Sequence, residues 1–176
     1  MSIRRGPKFN TYSLDFDGID DYIGIGTTSL GITSAITVSA WVKIPTTNTG
    51  GPSPFIQEFI CEDRAGGTNR NWGLFWRHLS VSDKFFRFQV WHTDGSVSFI
   101  ESTGIVPNDG NWHHLMGTFD GTTDANGLKL YVDGTLFQTT AGSIGIRSSS
   151  GVAPSIGSLE DGTAWRFEGN IDEVAL

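Results

Sequence analysis

The sequence predicts an all-β protein whose strands form two antiparallel sheets packed face to face. Helical periodicity is almost absent, whereas short stretches that alternate between apolar and polar residues recur along the 176 residues. Clusters of Gly, Asn, Asp and Ser, which favour tight turns, separate these stretches. The chain contains 23 Gly, 12 Phe and 6 Trp, a composition typical of many short strands around an aromatic core. Because neither a βαβ rhythm nor an internal repeat is present, a two-sheet antiparallel sandwich follows.

About a dozen short segments are bounded by turn residues and are expected to form strands. In chain order they cover residues 12–17, 20–25, 36–44, 55–62, 71–79, 84–93, 96–101, 112–120, 128–132, 135–140, 154–157 and 167–176. Residues 1–11 are expected to form an N-terminal arm or linker, and residues 12–176 to form one domain. A domain of this size buries roughly 70% of its unfolded surface, which is enough for a stable core without a disulfide.

The clearest strand covers residues 36–44. Its aliphatic residues at even positions share one face, whereas Trp41 lies on the opposite face. A large ring opposite an aliphatic row indicates a strand that is partly buried on both sides. Two hairpins are indicated by Asp94-Gly95 and Asp133-Gly134, since Asp-Gly favours a two-residue turn between antiparallel strands.

Charge and cysteine content exclude several classes of protein. The formal net charge is −7, whereas a nucleic-acid-binding protein needs a basic face, so we expect no nucleic-acid partner. Cys61 is the single cysteine, which excludes an intrachain disulfide and favours a small buried side chain. The basic N-terminal residues precede no apolar stretch, so we expect no signal peptide in the given chain. No apolar stretch approaches the ~18 residues of a membrane span, so we also expect no membrane insertion.

Four segments in this order are recognisable. They are SLDFDGIDDYI (residues 13–23), ITVSAWVK (36–43), NWHHLMGTFDG (111–121) followed by LKLYVDG (128–134), and FEGNIDEVAL (167–176). Together they resemble the laminin G-like and pentraxin-like jelly rolls of the concanavalin A-like lectin/glucanase superfamily. The resemblance extends over about residues 12–176.

This resemblance implies a jelly-roll sandwich in which the first and last strands pair. It also implies that Trp41 and Trp112 belong to the core, because both lie in structural motifs of the family. Sugar-binding domains, adhesion modules and hydrolases all use this fold, so the function has to be argued from a site.

Catalysis is not expected. The glucanases of the superfamily place carboxylates at alternate positions of one strand, and this chain has no Glu-x-Asp-x-Glu run. Glu168 and Asp172 are separated by four positions but have Asn170 between them, and the adjacent Glu62 and Asp63 diverge on a strand. We therefore expect a protein that is not an enzyme.

Calcium is the cofactor that the sequence favours. Asp15, Asp17, Asp20 and Asp21 lie within seven residues around a turn, and oxygen ligands of this kind suit hard cations. If the terminal strands pair as the resemblance implies, Asp172 comes near this cluster. The predicted ligands are Asp17, Asp20 and Asp172, with the loop at residues 120–124 as a second choice. In the alternative interpretation these aspartates only form turns.

Aromatic rings flanked by polar side chains predict a carbohydrate site, because rings cover apolar sugar faces while polar groups bind hydroxyls. The predicted ligand-binding residues are Trp72, Trp76, Arg77, Gln89, Trp91, His92 and Trp165. If their strands pair, Trp76 and Trp91 form a platform. Trp165 lies among glycine and charged residues and is the ring most expected to be exposed. In the alternative interpretation most of these rings belong to the core.

Three functions are carried forward. The first is a non-catalytic carbohydrate-binding or adhesion module, such as a decoration or fibre protein on a phage or virion surface, tethered by residues 1–11. The second is a structural domain whose partner is a neighbouring protein subunit, in a homo-oligomer or a virion assembly. The third is a module associated with a glycoside hydrolase. An extracellular or virion-surface location suits the first.

Overall fold

The computed structural model describes residues 12–48, 55–63, 69–80, 83–148, 151–159, 162 and 164–176. The predicted arm at residues 1–11 lies outside these ranges. Within them the chain forms twelve strands, and no helix is long and apolar enough to cross a membrane.

Each of the twelve strands falls on a segment that the alternation predicts. They are β1 (Leu14–Asp17), β2 (Ile23–Gly24), β3 (Ile36–Lys43), β4 (Phe55–Asp63), β5 (Arg70–Ser80), β6 (Asp83–Trp91), β7 (Val97–Glu101), β8 (Trp112–Phe119), β9 (Leu128–Val132), β10 (Thr135–Thr140), β11 (Ser155–Ile156) and β12 (Glu168–Ala175). The all-β prediction is therefore confirmed, with β2 and β11 shorter than expected.

The strands form two six-stranded antiparallel sheets, as predicted. The first sheet has the order β1-β12-β3-β8-β9-β10 and the second the order β2-β11-β4-β5-β6-β7. The first and last strands pair, with Leu14 opposite Ile171 and Asp17 opposite Glu168. This terminal pairing confirms what the resemblance implied.

Both predicted Asp-Gly turns connect neighbouring strands. Between β9 and β10, Asp133 and Gly134 have φ angles of 52° and 76°, as the central residues of a type I′ turn require. Between β6 and β7, Gly95 has a φ of 86°. These turns set the register of the two hairpins.

The core lies between the sheets and is lined by the inward residues of both. On β3, Val38, Ala40 and Val42 are completely buried, as the alternation predicts. Cys61 is also completely buried, as expected for an inert thiol.

The assignment of Trp41 and Trp112 to the core is wrong. Their side chains are 36% and 38% exposed, because both occupy outward positions on the first sheet. Trp41 packs on the ring of His114 with 5.1 Å between ring centroids. The neighbouring positions on these strands that face the core carry smaller side chains. One of them is Val42, which is the strand partner of His113.

Candidate functional site

Alternation along β5 and β6 separates a core face of the second sheet from an outer face. Even-numbered residues such as Leu74 and its partner Phe88 belong to the core, whereas Phe75 and its partner Arg87 face away from it. The outward residues of these strands and of β7 form what we call the arginine–aromatic face. Arg70 and Arg147, which contact the Trp91 ring, and Trp165, which contacts Arg70, complete it. It comprises Arg70, Phe75, Arg77, Arg87, Gln89, Trp91, Phe99, Glu101, Arg147 and Trp165.

Four of the predicted ligand-binding residues lie on this face. Arg77, Gln89 and Trp91 occupy outward positions on β5 and β6, and Trp165 joins them through its contact with Arg70. The structure brings these four residues together on one side of the sheet, where Gln89 is only 4% exposed.

Trp72 and Trp76 point into the core, with side chains 0% and 1% exposed. Trp72 Nε1 donates to Glu62 Oε2 at 2.9 Å, and Trp76 Nε1 donates to Gln57 Oε1 at 2.9 Å. Each ring thus has a buried polar partner, the usual arrangement for tryptophan in a core. The expected platform of Trp76 and Trp91 is not formed, because the two rings lie on opposite faces of the sheet.

His92 also points inward and is completely buried. Its Nε2 accepts from the Ser143 amide at 3.3 Å, which assigns the ring proton to Nδ1, 2.9 Å from the carbonyl oxygen of Gly145. The ring edge packs against Phe119 at 5.2 Å. His92 therefore anchors the loop at residues 143–145 and does not reach the outer face.

A ladder of alternating guanidinium groups and indole rings crosses the arginine–aromatic face. Arg147 lies 5.6 Å from the centroid of Trp91, Arg70 lies 5.8 Å from the same ring, and Arg70 lies 4.9 Å from the centroid of Trp165. Both rings are partly exposed. Cation–π contacts of this length hold the rings in place without covering them completely.

The backbone of Trp165 is in a conformation that bulky residues rarely adopt, with a φ of 56°. Such a conformation costs roughly 1–3 kcal/mol and persists only where the surroundings enforce it. Here the amide of Glu58 donates to the carbonyl oxygen of Trp165 at 3.0 Å. This hydrogen bond couples the loop that carries Trp165 to β4 and fixes the ring beside Arg70.

Two further arginines share one carboxylate at the β5–β7 side of the face. Glu101 Oε1 lies 3.0 Å from Arg87 Nη1 and 3.3 Å from Arg77 Nη1. Arg87 also lies over the ring of Phe99, with 3.7 Å to the centroid, and Phe99 is 43% exposed. Burial lowers the pKa of Arg87 to about 10, so the group remains charged at neutral pH.

Below this surface lie acidic groups that solvent does not reach. Glu58 and Asp63 are 0% exposed, and neither oxygen of Glu58 has a hydrogen-bond partner among the described residues. Burial, and then the charge of Asp63, raises the pKa of Glu58 well above its ordinary value, which favours the uncharged acid. Burial likewise raises the pKa of the Cys61 thiol, which disfavours the reactive thiolate.

An exposed acidic cluster lies at the turn after β1. One oxygen each of Asp17, Asp20 and Asp21 lies within 4.8 Å of the others. Asp17 Oδ1 accepts from the amide of Ile19 at 2.7 Å, and Asp21 Oδ2 accepts from the amide of Asp17 at 3.0 Å. The turn-forming role is therefore real, but other carboxylate oxygens are left for a cation.

Asp172, the third predicted metal ligand, does not join this cluster. It lies four residues along β12 from Glu168, which pairs with Asp17, a separation of roughly 13 Å along a strand. The terminal strands pair as the resemblance implied, but their register places Asp172 too far from the acidic cluster to share an ion with it. Asp21 instead lies beside Asp17 and Asp20.

The family is shown by a match over nearly the whole domain. A model of the concanavalin A-like lectin/glucanases superfamily matches residues 17–176. The chain belongs to this superfamily. The predicted resemblance is thereby confirmed, while no curated protein matches the chain.

Several solved structures share the fold of this chain at low sequence identity. Domain 4 of AbnA, a GH43 extracellular arabinanase from Geobacillus stearothermophilus solved with arabinotriose, has a TM-score of 0.56 and 17% identity, covering 92% of this chain and 68% of that one. The CBM40 of a Ruminococcus gnavus IT-sialidase, bound to α2,3 sialyllactose, has a TM-score of 0.57 and 14% identity, covering 92% and 88%. Domains LG4-5 of the mouse laminin α1 chain have a TM-score of 0.57 and 12% identity, covering 99% of this chain and 44% of that one.

Several residues of the arginine–aromatic face of this superfamily member were not predicted from the sequence. The outward position of Phe99 was predictable, because Phe99 lies on the same face of β7 as Glu101 and on the opposite face from the buried Ile100. No pattern in the sequence predicts the positions of Arg70 and Arg147, since they reach the face from the end of a strand and from a distant loop. Their position depends on how the loops fold over the sheet.

Proposed function

We propose that this domain binds carbohydrate on the arginine–aromatic face and catalyses no reaction. The observation that carries the proposal is the row of partly exposed rings, Trp91, Trp165 and Phe99, interleaved with guanidinium groups. Aromatic faces cover the apolar C–H patches of sugars, and guanidinium N–H groups donate to their oxygens. Such a combination of rings and donors is what a saccharide site needs.

The face is preorganised. Arg70 lies between the rings of Trp91 and Trp165, and the Glu58 amide holds the Trp165 loop. Side chains that are already ordered lose little conformational entropy when a ligand binds. A rigid surface therefore binds an elongated, weakly hydrophobic ligand at a smaller entropic cost than a flexible loop would.

Two structures of the same fold support the proposal at the level of architecture. The arabinanase domain was solved with arabinotriose and the CBM40 with sialyllactose. The non-catalytic part of the proposal is supported by the burial of Glu58 and Asp63, because an acid–base pair has to reach its substrate.

The test is a glycan array followed by titration of the best ligand with Trp91→Ala and Trp165→Ala variants. Loss of a ring from the face is expected to weaken binding by about tenfold or more, equivalent to about 1.4 kcal/mol. Trp112→Ala removes an exposed indole ring from the other sheet and is the matched control. Unchanged affinity in both test variants would place the site elsewhere.

We also propose that Asp17, Asp20 and Asp21 hold a calcium ion. Their carboxylates lie close together at the surface and retain oxygens that no turn hydrogen bond uses. Carboxylate oxygens with flexible geometry are the ligands that Ca²⁺ takes. The ion would brace the turn that follows the first strand.

A second candidate function is a structural domain that contacts a neighbouring protein subunit. Exposed Trp41, Trp112 and Leu136 on the outer side of the first sheet favour it, since exposed large apolar side chains often mark contact surfaces. Analytical ultracentrifugation tests it: self-association abolished by Trp41→Ser supports an interface between copies. An extracellular location, including a phage or virion surface, suits either function and is part of the proposal.

A further inference from the structure

We propose that β10 is a pairing edge through which two copies of this chain join their first sheets into one continuous antiparallel sheet. The observation that carries the proposal is that β10 ends the first sheet, pairs there with β9 alone and contains no charged residue. The inference is independent of carbohydrate binding, because no residue of β10 belongs to the arginine–aromatic face.

The outer side of β10 offers unpaired backbone groups. Residues 135–140 pair with β9, and among the described residues no other backbone group bonds to them. A strand with a neighbour on one side only leaves a row of N–H and C=O groups available to another extended chain. A bulge at Phe137, which packs against the core, interrupts the ladder, so the regular part of the free edge is residues 138–140.

β10 lacks the features that protect the other edge strands, which are β1 on the same sheet and β2 and β7 on the second sheet. β1 carries Asp15 and Asp17, β7 carries Glu101, and β2 has only 2 residues. Charged side chains and short strands are common means of preventing edge-to-edge pairing. β10 has 6 residues and no charge, and of the edges formed by the described residues it is therefore the most open to another strand.

A second copy of β10 complements this edge. Two antiparallel strands related by a two-fold axis present the same groups to each other, so the surface is complementary to itself. The net charge of the chain is −7, but no charged residue occurs between Asp133 and Arg147, so two acidic molecules meet here without like charges opposite each other. With the axis at Thr139, this residue faces its own copy and Gln138 faces Thr140. Cross-strand threonine pairs stabilise a sheet.

Exposed aliphatic side chains flank the edge. Leu136, near the beginning of β10, is 46% exposed, and Ile144, which follows the end of the strand, is 69% exposed. A two-fold antiparallel pair places the beginning of one strand beside the end of the other. The Leu136 side chain of each copy therefore lies towards Ile144 of the other copy, and its burial adds apolar contact to the backbone hydrogen bonds.

Sedimentation velocity over a concentration series measures the dissociation constant of the dimer. Gln138→Glu and Gln138→Lys each place like charges near the two-fold axis, and each is expected to raise this constant about tenfold or more. An equimolar mixture of the two variants is expected to form heterodimers with an affinity approaching that of the natural protein, because opposite charges then meet. Thr37→Glu adds a charge at an exposed position of the interior strand β3 and is the matched control.

Hydrogen exchange tests the pairing itself. At least one amide of residues 138–140 is expected to gain protection as the protein concentration rises, in the natural protein and not in Gln138→Glu. A protein that is still monomeric at about 1 mM overturns the inference, and so does a dimer that both Gln138 variants leave unchanged.

Two further variants identify a different interface. A dimer lost in Trp41→Ser but kept in both Gln138 variants is formed by the exposed tryptophans of the first sheet, as in the second candidate function, and not by β10. A dimer lost on deletion of residues 1–11 assigns that segment as the partner and likewise overturns pairing between two β10 strands. Neither result bears on carbohydrate binding, which the glycan array tests separately.

Discussion

The ring of Phe88 on the second sheet packs directly against Gly117 on the first. A Cβ atom at residue 117 would lie 2.4 Å from the Phe88 ring, well inside van der Waals contact. The Phe88 ring therefore occupies the space that a side chain at residue 117 would take. Close-packed interiors leave no space for an added methyl group at such a point.

Gly117→Ala is expected to destabilise the domain by about 1–3 kcal/mol, because overpacking outweighs the smaller entropic gain of replacing glycine. This corresponds to a fall in Tm of roughly 2–4 °C per kcal/mol for a domain of this size, measured by calorimetry. Gly24→Ala is the control, since the nearest atom to its added Cβ lies 3.9 Å away. Equal Tm values for the two variants would contradict this packing.

Trp76→Ala is expected to cost about 3–5 kcal/mol of stability, because it empties a buried site and leaves Gln57 without its indole partner. Trp91→Ala should cost clearly less, since its ring lies on the outer face. Urea denaturation of both variants measures the difference. A larger loss for Trp91→Ala would reverse the assignment of core and surface.

Calcium is expected to raise the Tm. At a concentration one hundred times the dissociation constant, a ligand bound only to the folded state stabilises it by about 2.7 kcal/mol, or roughly 5–10 °C here. Asp20→Asn should reduce this shift, whereas Asp172→Asn, remote from the cluster, should not. An identical Tm in calcium and in EDTA would exclude a bound ion with a structural role.

Glu58 is expected to make stability fall as the pH rises. Burial raises its pKa in the folded state above the value in the unfolded chain, so its protonated form is favoured by folding. The contribution is present below the unfolded pKa and is lost as the pH rises towards the folded pKa, at about 1.4 kcal/mol for each unit between them.

The Glu58→Gln variant should therefore gain stability relative to the natural protein between pH 5 and pH 8, as measured by urea denaturation. Glu173→Gln alters an exposed carboxylate and serves as the control. If the difference in stability between Glu58→Gln and the natural protein is the same at both pH values, Glu58 is ionised in the folded state.

The strands and the hairpin turns were predictable because they depend on neighbours in the chain. The alternation on β3 identifies its buried residues, and Asp133-Gly134 specifies its own turn through positive φ angles. Pairing of β1 with β12 joins the two ends of the domain and came from the family resemblance, since no local pattern encodes it.

The orientation of the rings was less accessible. On β5, apolar residues occupy both phases, so alternation does not say whether Trp76 or Phe75 faces the core. On β3 and β8 the motifs containing Trp41 and Trp112 suggested burial, but the second sheet packs on the opposite side of both strands. A strand's pattern distinguishes two faces without specifying what covers each.

The chain's local order thus specifies an antiparallel sandwich with tight turns and an acidic turn after the first strand. Packing of remote segments then assembles the arginine–aromatic face, because Arg70, Trp91, Arg147 and Trp165 are brought into contact from four separate parts of the chain. Packing likewise sets the register that removes Asp172 from the acidic cluster. Contacts of this kind depend on distances in space, which the spacing of residues along a strand does not encode.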